Sequence, residues 1–457
     1  MQRILINTLH EHIGKEITIE GWVETRRDHG KLIFLDVRDR SGMVQTVALP
    51  NNEEVRSVAE TLRSEWVISI IGTVNKRPEK MVNPDVANGD IELAITTIEV
   101  LAAAAELPFA SDADLNLDTL LDYRPLTLRR ARERAIFSVQ AGLVQAYRNS
   151  LIRQGFMEFQ APALVGSDAE GGAEVFRVDY FNDHKANLAT SPQLYKQIMT
   201  GVYERVFTVA RIFRAEKSAT TRHLSELTQM DFEMAFIENE RDVMAALETV
   251  MRDIVAEMQR GYGSFFSTCG ADLPRVPEKA FPVLTLREAQ KILGVPEEPD
   301  MEPAHERAIS EWALKEYGSD FVFITRFPTA KRAFYTYEDP GEAPYSRGFD
   351  LIFRGLEINS GAQRVHRYDE LVARIEERGM DPNHFSFYLQ AFKYGMPPHG
   401  GCSTGLERLT MKMLGLGNVK EATLFPRDMN RIDTLLSSDE SDESTKNYTT
   451  KKSSQQT

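Results

Sequence analysis

At 457 residues the chain is longer than one typical core fills, and with 42% apolar residues it has material for two or more globular domains. A formal net charge of −14 argues against a broad polyanion binder and confines any nucleic-acid contact to a local surface; two cysteines, Cys269 and Cys402, exclude a disulfide framework and a thiolate metal centre, so any metal must be held by oxygen ligands. No apolar run is long enough to span a bilayer, and the start MQRILINTLHEH lacks the basic region, apolar core and cleavage site of an export signal, so a cytoplasmic protein without a membrane partner is expected.

From about residue 16 to 101 the runs EITIEGWVE, KLIFLDVRD, MVQTVAL, WVISIIGTV and IELAITTIEV read as five short strands, which suggests a small closed barrel of the oligonucleotide-binding type. If Ile33, Leu35 and Val37 fill that barrel, Phe34 lies on its outer face near Arg26, Arg27, Lys31 and Gln45, a combination that stacks on and reads unpaired bases. Cover for a barrel edge is the alternative role for Phe34. The Ala, Asp and Pro mixture that follows places a hinge over residues 105–125. A helix is expected from about Arg129 to Gln154, with Ile136, Val139, Leu143, Tyr147 and Leu151 on one stripe and Gly155 as its stop, followed by the strand FMEFQAP. Residues 238–320 show an amphipathic helix, Val243 to Met258, and little chemistry. From Phe321 to Leu436 strands alternate with two helices, and the polar residues 437–457 read as a disordered tail.

The chain is organised around Arg211 to Phe236, RIFRAEKSATTRHLSELTQMDFEMAF. Apolar, strand-like ends flank a polar centre, as in a hairpin whose loop grips a charged ligand. Arg214, Arg222 and His223 suit a polyphosphate, and Glu216 can accept from an exocyclic amine. SPQLYKQ places Gln193 and Lys196 on a helical turn, and Glu170 in EGGAEVF reads as an acid on a mobile loop. In FDLIFRGLEINSGAQR, parity sets Asp350 and Glu357 on opposite faces of one ideal strand, so a shared magnesium site needs a bulge or bend near Gly355. GGCSTGLERL reads as a glycine-rich turn opening a helix with Glu407 and Arg408.

Together, FRAE…RHLSELTQMDFE and GLERL resemble motifs 2 and 3 (about 211–236 and 400–415) of the class II aminoacyl-tRNA synthetases, and the helix and strand ending at Pro162 resemble motif 1 (about 129–162). SPQLYKQ, EGGAEVF, INSGAQRVH, YGMPPHGG and LFPRD are most similar to the compact archaeal-type aspartyl enzymes. The resemblance implies an α+β multidomain chain: an anticodon-binding barrel over 1–104, the hinge, and a catalytic domain over 126–436 with an antiparallel sheet flanked by helices, dimerising through the motif 1 helix. It implies ATP as substrate, a magnesium cofactor, aspartate, tRNA(Asp) and possible use of tRNA(Asn). ATP would meet Arg214, Glu216, Arg222, His223, Leu224, Glu357, Gly405, Glu407 and Arg408, with Arg214 and Arg408 catalytic. Asp350, Glu357 and Ser360 would hold the metal. Glu170, Gln193, Lys196, Asp231, Ser360 and Arg364 would bind aspartate, the cations Lys196 and Arg364 rejecting neutral asparagine because it would leave buried charge unpaired. Glu24, Arg26, Phe34 and Gln45 would meet the anticodon.

Departures from the family are Cys402, Ser403 and Thr404 in motif 3, Leu227 where an aromatic commonly covers adenine, Thr190 before SPQ, and Glu24, where strict archaeal enzymes tend to carry tryptophan. Glu24 favours a relaxed enzyme that charges both tRNAs. A discriminating enzyme, a tRNA-independent adenylating paralogue such as an asparagine synthetase, and a non-catalytic tRNA-binding homologue are the alternatives.

Overall fold

The computed structural model describes residues 2–84, 86–110, 112–166, 174–217 and 220–436, which form two compact units dividing between Asp114 and Leu115. The first is a closed barrel of β1 (Glu16–Asp28), β2 (Ile33–Arg38), β3 (Met43–Ala48), β4 (Val67–Lys76) and β5 (Ile91–Ala102) in the order β1-β2-β3-β5-β4. Period-two alternation sends Ile33, Leu35 and Val37 into a core with Ile19, Ile68, Ile70 and Leu93, all fully buried or nearly so. Phe34 points the other way, half-buried, its ring 5.6 Å from that of His29. Opposite β2, the register of β1 shifts between Val23 and Thr25, which makes Glu24 the extra residue of a bulge.

The second unit is built on an eight-stranded sheet. Its strands are β6 (Met157–Glu158), β10 (Arg205–Phe213), β11 (Glu226–Ala235), β12 (Val283–Thr285), β13 (Phe321–Thr325), β14 (Gly348–Phe353), β15 (Leu356–Gln363) and β16 (His399–Gly405), in the order β12-β13-β14-β15-β16-β11-β10-β6. The short strands β7 (Leu164–Val165), β8 (Arg177–Asp179) and β9 (Lys185–Leu188) form a separate small sheet. The large sheet is antiparallel through its middle, as expected, and its end pairs β6–β10 and β12–β13 are parallel, which makes it a mixed sheet. Both edge strands, β6 and β12, lead into a helix-containing crossover to their parallel neighbours, β10 and β13, as parallel pairing requires.

The expected helix is Ala131–Arg153, and all five residues of its predicted stripe are buried. That stripe shares one core with the helix Glu240–Gly261, through Val243, Leu247 and Val250, and with Phe207, Met230 and Phe232 of the sheet. The helix Leu117–Asp122 lies within the segment expected to be a hinge and Arg124–Thr127 begins in it, and the buried Arg124 guanidinium donates to the backbone oxygens of Leu424 and Thr423 at 2.8 Å. Between Phe321 and Leu436 there are three α-helices among the described residues, Tyr368–Glu377, Ser386–Lys393 and Leu406–Met413, where the sequence suggested two. Residues 437–457 lie outside the described residues.

Candidate active site

The loop from Arg214 to Ser225 joins β10 to β11, as the hairpin reading requires. Arg214, Glu216, Arg222, His223 and Leu224 from this loop meet Glu357 and Ser360 of β15 and Gly405, Glu407 and Arg408 after β16 around one open cleft of about 830 Å³. Leu227 lines it too, as an aliphatic wall. Glu216 lies between Arg214 and His223, 3.7 Å from Arg214 Nη1 and 4.0 Å from His223 Nε2, and all three side chains are about two-fifths exposed and open to a ligand. Arg408 Nη1 donates to the Glu357 carbonyl oxygen at 3.2 Å and lies 3.6 Å from its carboxylate. Glu407 lines the cleft and also makes a structural contact. Its buried carboxylate accepts the Thr228 N–H at 3.0 Å with both oxygens, and burial raises its pKa, so it ties the helix Leu406–Met413 to β11.

Beside the cleft lies a buried charged cluster. In β11, Met230, Phe232 and Met234 face the apolar core, so Asp231 and Glu233 share the opposite face, each without exposed surface. Lys196, on the helix Gln193–Tyr203, places Nζ 2.8 Å from Asp231 Oδ2 and 3.4 Å from Glu233 Oε2. Arg364 donates through Nε to Glu233 Oε1 at 2.9 Å and through Nη2 to the Gly401 carbonyl at 2.8 Å. Burial alone would raise the Glu233 pKa; Arg364 and Lys196 outweigh it and hold the carboxyl below its ordinary range. The two cations that the sequence reserved for a ligand carboxylate are thus already compensated, so rejection of a neutral analogue does not follow from an unpaired cation. Gln193 Oε1 accepts from Arg364 at 3.5 Å, while its buried Nε2 has no partner among the described residues. Ser403 connects this cluster to the cleft: it lines the cleft, and its hydroxyl donates to Asp231 Oδ1 at 2.6 Å. At the far end, burial lowers the His399 pKa to about 4; its ring bonds the Pro397 carbonyl through Nδ1 and the Gln197 amide through Nε2, both at 2.9 Å. Glu170 lies outside the described residues.

Asp350 and Glu357 do not share one strand. Arg354 and Gly355, at φ 46° and 77°, form a two-residue turn between β14 and β15, and a register shift follows between Leu351 and Ile352. A shared site called for a bulge or a bend near Gly355; the chain has both, and the bend is a complete hairpin. Asp350 stands opposite Ser360. Burial, reinforced by the nearby Asp350 charge and opposed by Arg408 and Arg332, raises the Glu357 pKa to about 7; carboxylate oxygens are the ligand type suited to a hard cation. Asp350 and Ser360, however, both accept from Arg332; Glu357 and Ser360 line the cleft, and Glu357 is the carboxylate of the three expected ligands that does so.

In the barrel, Glu24 and Glu65 both ion-pair with Arg38, whose guanidinium lies 5.2 Å over the Trp22 ring. Arg26 donates to the Glu60 carbonyl at 2.9 Å, and Gln45 accepts from Arg27 at 3.2 Å. Phe34 and Gln45 sit on neighbouring strands two residues apart in register, Asp36 being opposite Gln45.

The sequence pattern of the family "tRNA synthetases class II (D, K and N)" matches residues 116–429, and that of the "OB-fold nucleic acid binding domain" matches residues 17–101. The chain is a class II aminoacyl-tRNA synthetase. This synthetase is 43% identical over 439 residues to the aspartate–tRNA(Asp/Asn) ligase of Thermus thermophilus, covering 94% of this chain and 99% of that one. It is 38% identical to the aspartate–tRNA(Asp) ligase of Pyrococcus horikoshii, covering 92% and 96%. The crystal structure of asparaginyl-tRNA synthetase from Pyrococcus horikoshii complexed with asparaginyl-adenylate superposes with a TM-score of 0.86 at 32% identity, covering 94% of this synthetase and 99% of that chain. Enzymes of this family use ATP, an amino acid and tRNA. Among the described residues, no helix is long and apolar enough to cross a membrane.

Sequence reasoning missed four parts of the synthetase site. Glu233 shares its parity with Asp231 and was legible in TQMDFE. Glu306 comes from the helix Pro303–Tyr317, in the stretch that offered few clues; it accepts the Glu357 N–H at 3.0 Å and lies 3.5 Å from Arg222 Nη1. Gln229 and Asn359 line the cleft with buried oxygens that have no partner among the described residues. Arg332 lies far from every motif and had no signal of its own.

Proposed function

We propose that this synthetase attaches L-aspartate to tRNA(Asp), and to tRNA(Asn) as well, through an aspartyl-adenylate. The observation that carries the reading is Ser403: it belongs to the cleft that collects the motif 2 and motif 3 arginines, and it is hydrogen-bonded to the Lys196–Asp231 pair, so the nucleotide and charged amino-acid sites adjoin.

In this assignment Arg214 binds the α-phosphate, Glu216 accepts from the adenine amino group, and His223, Arg222 and Arg408 take the terminal phosphates. Leu224 and Gly405 line the nucleotide, Leu227 covers adenine, and Glu407 acts by holding β11. Aspartate places its side-chain carboxylate toward Arg364, Lys196 and the Gln193 amide, whose unpartnered N–H suits an added acceptor. Asp231 and Ser360 complete that pocket, with Glu170 assigned to the ammonium from the resemblance. A magnesium ion held by Glu357, with Asp350 and Ser360 as further candidate ligands, would neutralise the leaving pyrophosphate. The aspartate α-carboxylate attacks the α-phosphorus, the bond to the β-phosphate oxygen breaks, and pyrophosphate leaves. The 3′-terminal hydroxyl of tRNA then attacks the acyl carbon, and AMP leaves. A carboxylate is already a nucleophile, so the residues supply position and charge stabilisation and no general base is needed for the first step.

The barrel is assigned to the anticodon through Phe34, Gln45, Arg26 and Glu24. Dual tRNA use is supported by Glu24 at the β1 bulge and by the relatives from Thermus thermophilus, Deinococcus radiodurans and Archaeoglobus fulgidus, each named for both tRNAs. The Pyrococcus relatives, named for tRNA(Asp), support the discriminating alternative. A cytoplasmic homodimer through the motif 1 helix completes the assignment; Ile152, 58% exposed near the end of that helix, suits an interface. Aminoacylation with labelled aspartate on separate transcripts of the two tRNAs tests the function: charging of both is expected, charging of tRNA(Asp) alone favours the second reading, and charging of neither overturns both.

A further inference from the structure

Arg332 is used by none of the steps above, yet it is held from several sides. Its guanidinium carbon lies 3.8 Å from the centroid of the buried Phe327 ring. Nη1 donates to Asp350 Oδ1 and to Ser360 Oγ, each at 3.0 Å, and Nη2 donates to Asp350 Oδ2 at 2.8 Å. Both carboxylate oxygens of Asp350 and the hydroxyl oxygen of Ser360 therefore face a guanidinium. Glu357 differs: its carboxylate lines the cleft and approaches Arg408 at 3.6 Å.

We infer that Arg332 is a positioning residue that withholds Asp350 and Ser360 from a divalent cation, so that the cation enters the site with the nucleotide and not before it. Magnesium demands near-octahedral oxygen coordination and is commonly held by one or two carboxylates together with substrate phosphates. A forked guanidinium–carboxylate pair satisfies both oxygens in one fixed geometry, and opening it away from bulk water leaves both charges unpaired. A cation arriving alone would find, among the three expected ligands, only the Glu357 carboxylate clear of Arg332, with Arg408 3.6 Å from it. One arriving on a polyphosphate brings its remaining oxygens with it. The inference rests on the cleft being the ATP site and concerns the order in which that site fills.

Manganese(II) serves as the probe, its free concentration read by electron paramagnetic resonance with the full-length chain in the absence and presence of a non-hydrolysable ATP analogue. Uptake of manganese by the unaltered protein with the analogue tests the site assignment; no uptake in either condition overturns that assignment and the inference with it. The inference itself is read in the ratio between protein variants without nucleotide. Arg332→Gln removes the fork and its charge, while Arg332→Lys keeps the charge and loses the bidentate contact. Nucleotide-free manganese affinity is expected to rise roughly tenfold or more in Arg332→Gln and by a smaller factor in Arg332→Lys. A rise in the Gln variant alone would reflect lost positive charge and overturn withholding by the fork, and no rise in either folded variant would overturn it outright. Should Arg332→Gln fail to fold, the Lys variant still decides, because charge is constant in that comparison.

Discussion

Asp231 and Glu233 sit two residues apart on a central strand with no exposed surface, and two cations, Lys196 and Arg364, are brought from distant segments to meet them. Breaking a buried pair costs more than the pair contributes, because one charge is left uncompensated. Glu233→Gln is therefore expected to lower stability by about 3 kcal/mol in urea denaturation, since it leaves the buried Arg364 with neutral acceptors. His399 adds a pH dependence. Its folded-state pKa is depressed from 6.5 to about 4, chiefly by burial, so the unfolded chain takes up the proton first as pH falls. The stability it contributes is complete above pH 6.5 and is lost progressively down to about pH 4, a difference of roughly 2 kcal/mol already by pH 5. Urea midpoints at pH 7 and pH 5 should differ less in His399→Gln than in the unaltered chain; equal differences would remove His399 from this role. At this scale the charged residues of the motifs were legible because their types are unusual for a core, and alternation in TQMDFE was enough to add Glu233. Arg332 and Glu306 were not, because only tertiary folding brings residues 18 and 51 positions away from Asp350 and Glu357 against them.

The glycine-rich stretch before motif 3 illustrates how an element is misread from composition. Its glycines suggested a turn, but Gly400 and Gly401 lie inside β16, a strand paired on both sides with β15 and β11. Glycine is required there by close approach: a Cβ on Gly400 would come 2.8 Å from the Ala362 oxygen, and one on Gly401 would fall on the Phe232 oxygen and the Glu233 carboxylate. Gly401→Ala is expected to cost about 1–3 kcal/mol and to disturb Glu233 directly, visible as a lower urea midpoint together with a raised KM for aspartate. Glu407 governs a second element. Because both its oxygens accept the Thr228 N–H, Glu407→Gln replaces a charge-assisted contact by a neutral one, at a cost of about 1–2 kcal/mol. Faster hydrogen exchange confined to β11 and the preceding loop is the expected result, and unchanged exchange there would show that the strand is held by its neighbours alone. The hairpin at Arg354–Gly355 was partly legible: parity demanded a bend, and Gly355 marked where, although the paired strands on either side could not be told from one long strand.

On the scale of the molecule, the two units have separate apolar cores, one closed within the barrel and one between the large sheet and its helices. The barrel was legible because five alternating strands with regular turn signals leave few other folds, whereas the dividing point was not: the Ala- and Asp-rich stretch resembled a continuous hinge, while helices Leu117–Asp122 and Arg124–Thr127 already belong to the second unit. Every described residue assigned to ATP and aspartate lies in that second unit, and every residue assigned to the anticodon lies in the first. On that assignment adenylate formation should need only the second unit, and selection of tRNA both. A chain beginning at Leu115 keeps the Arg124 contacts to Thr423 and Leu424, so it is expected to fold and to retain ATP–pyrophosphate exchange driven by aspartate within about tenfold of the full chain. Its charging of tRNA should fall by a much larger factor, because the anticodon contacts are gone while the chemistry is intact. Loss of exchange from a folded fragment would mean that the barrel supports the first step, and equal loss of both activities would remove the division of labour assigned here. Within the full chain, Arg38→Gln frees Glu24 from its ion pair without touching the second unit, so it should leave exchange unchanged and alter the ratio of tRNA(Asp) to tRNA(Asn) charging. An unchanged ratio would show that Glu24 and its bulge take no part in choosing the tRNA.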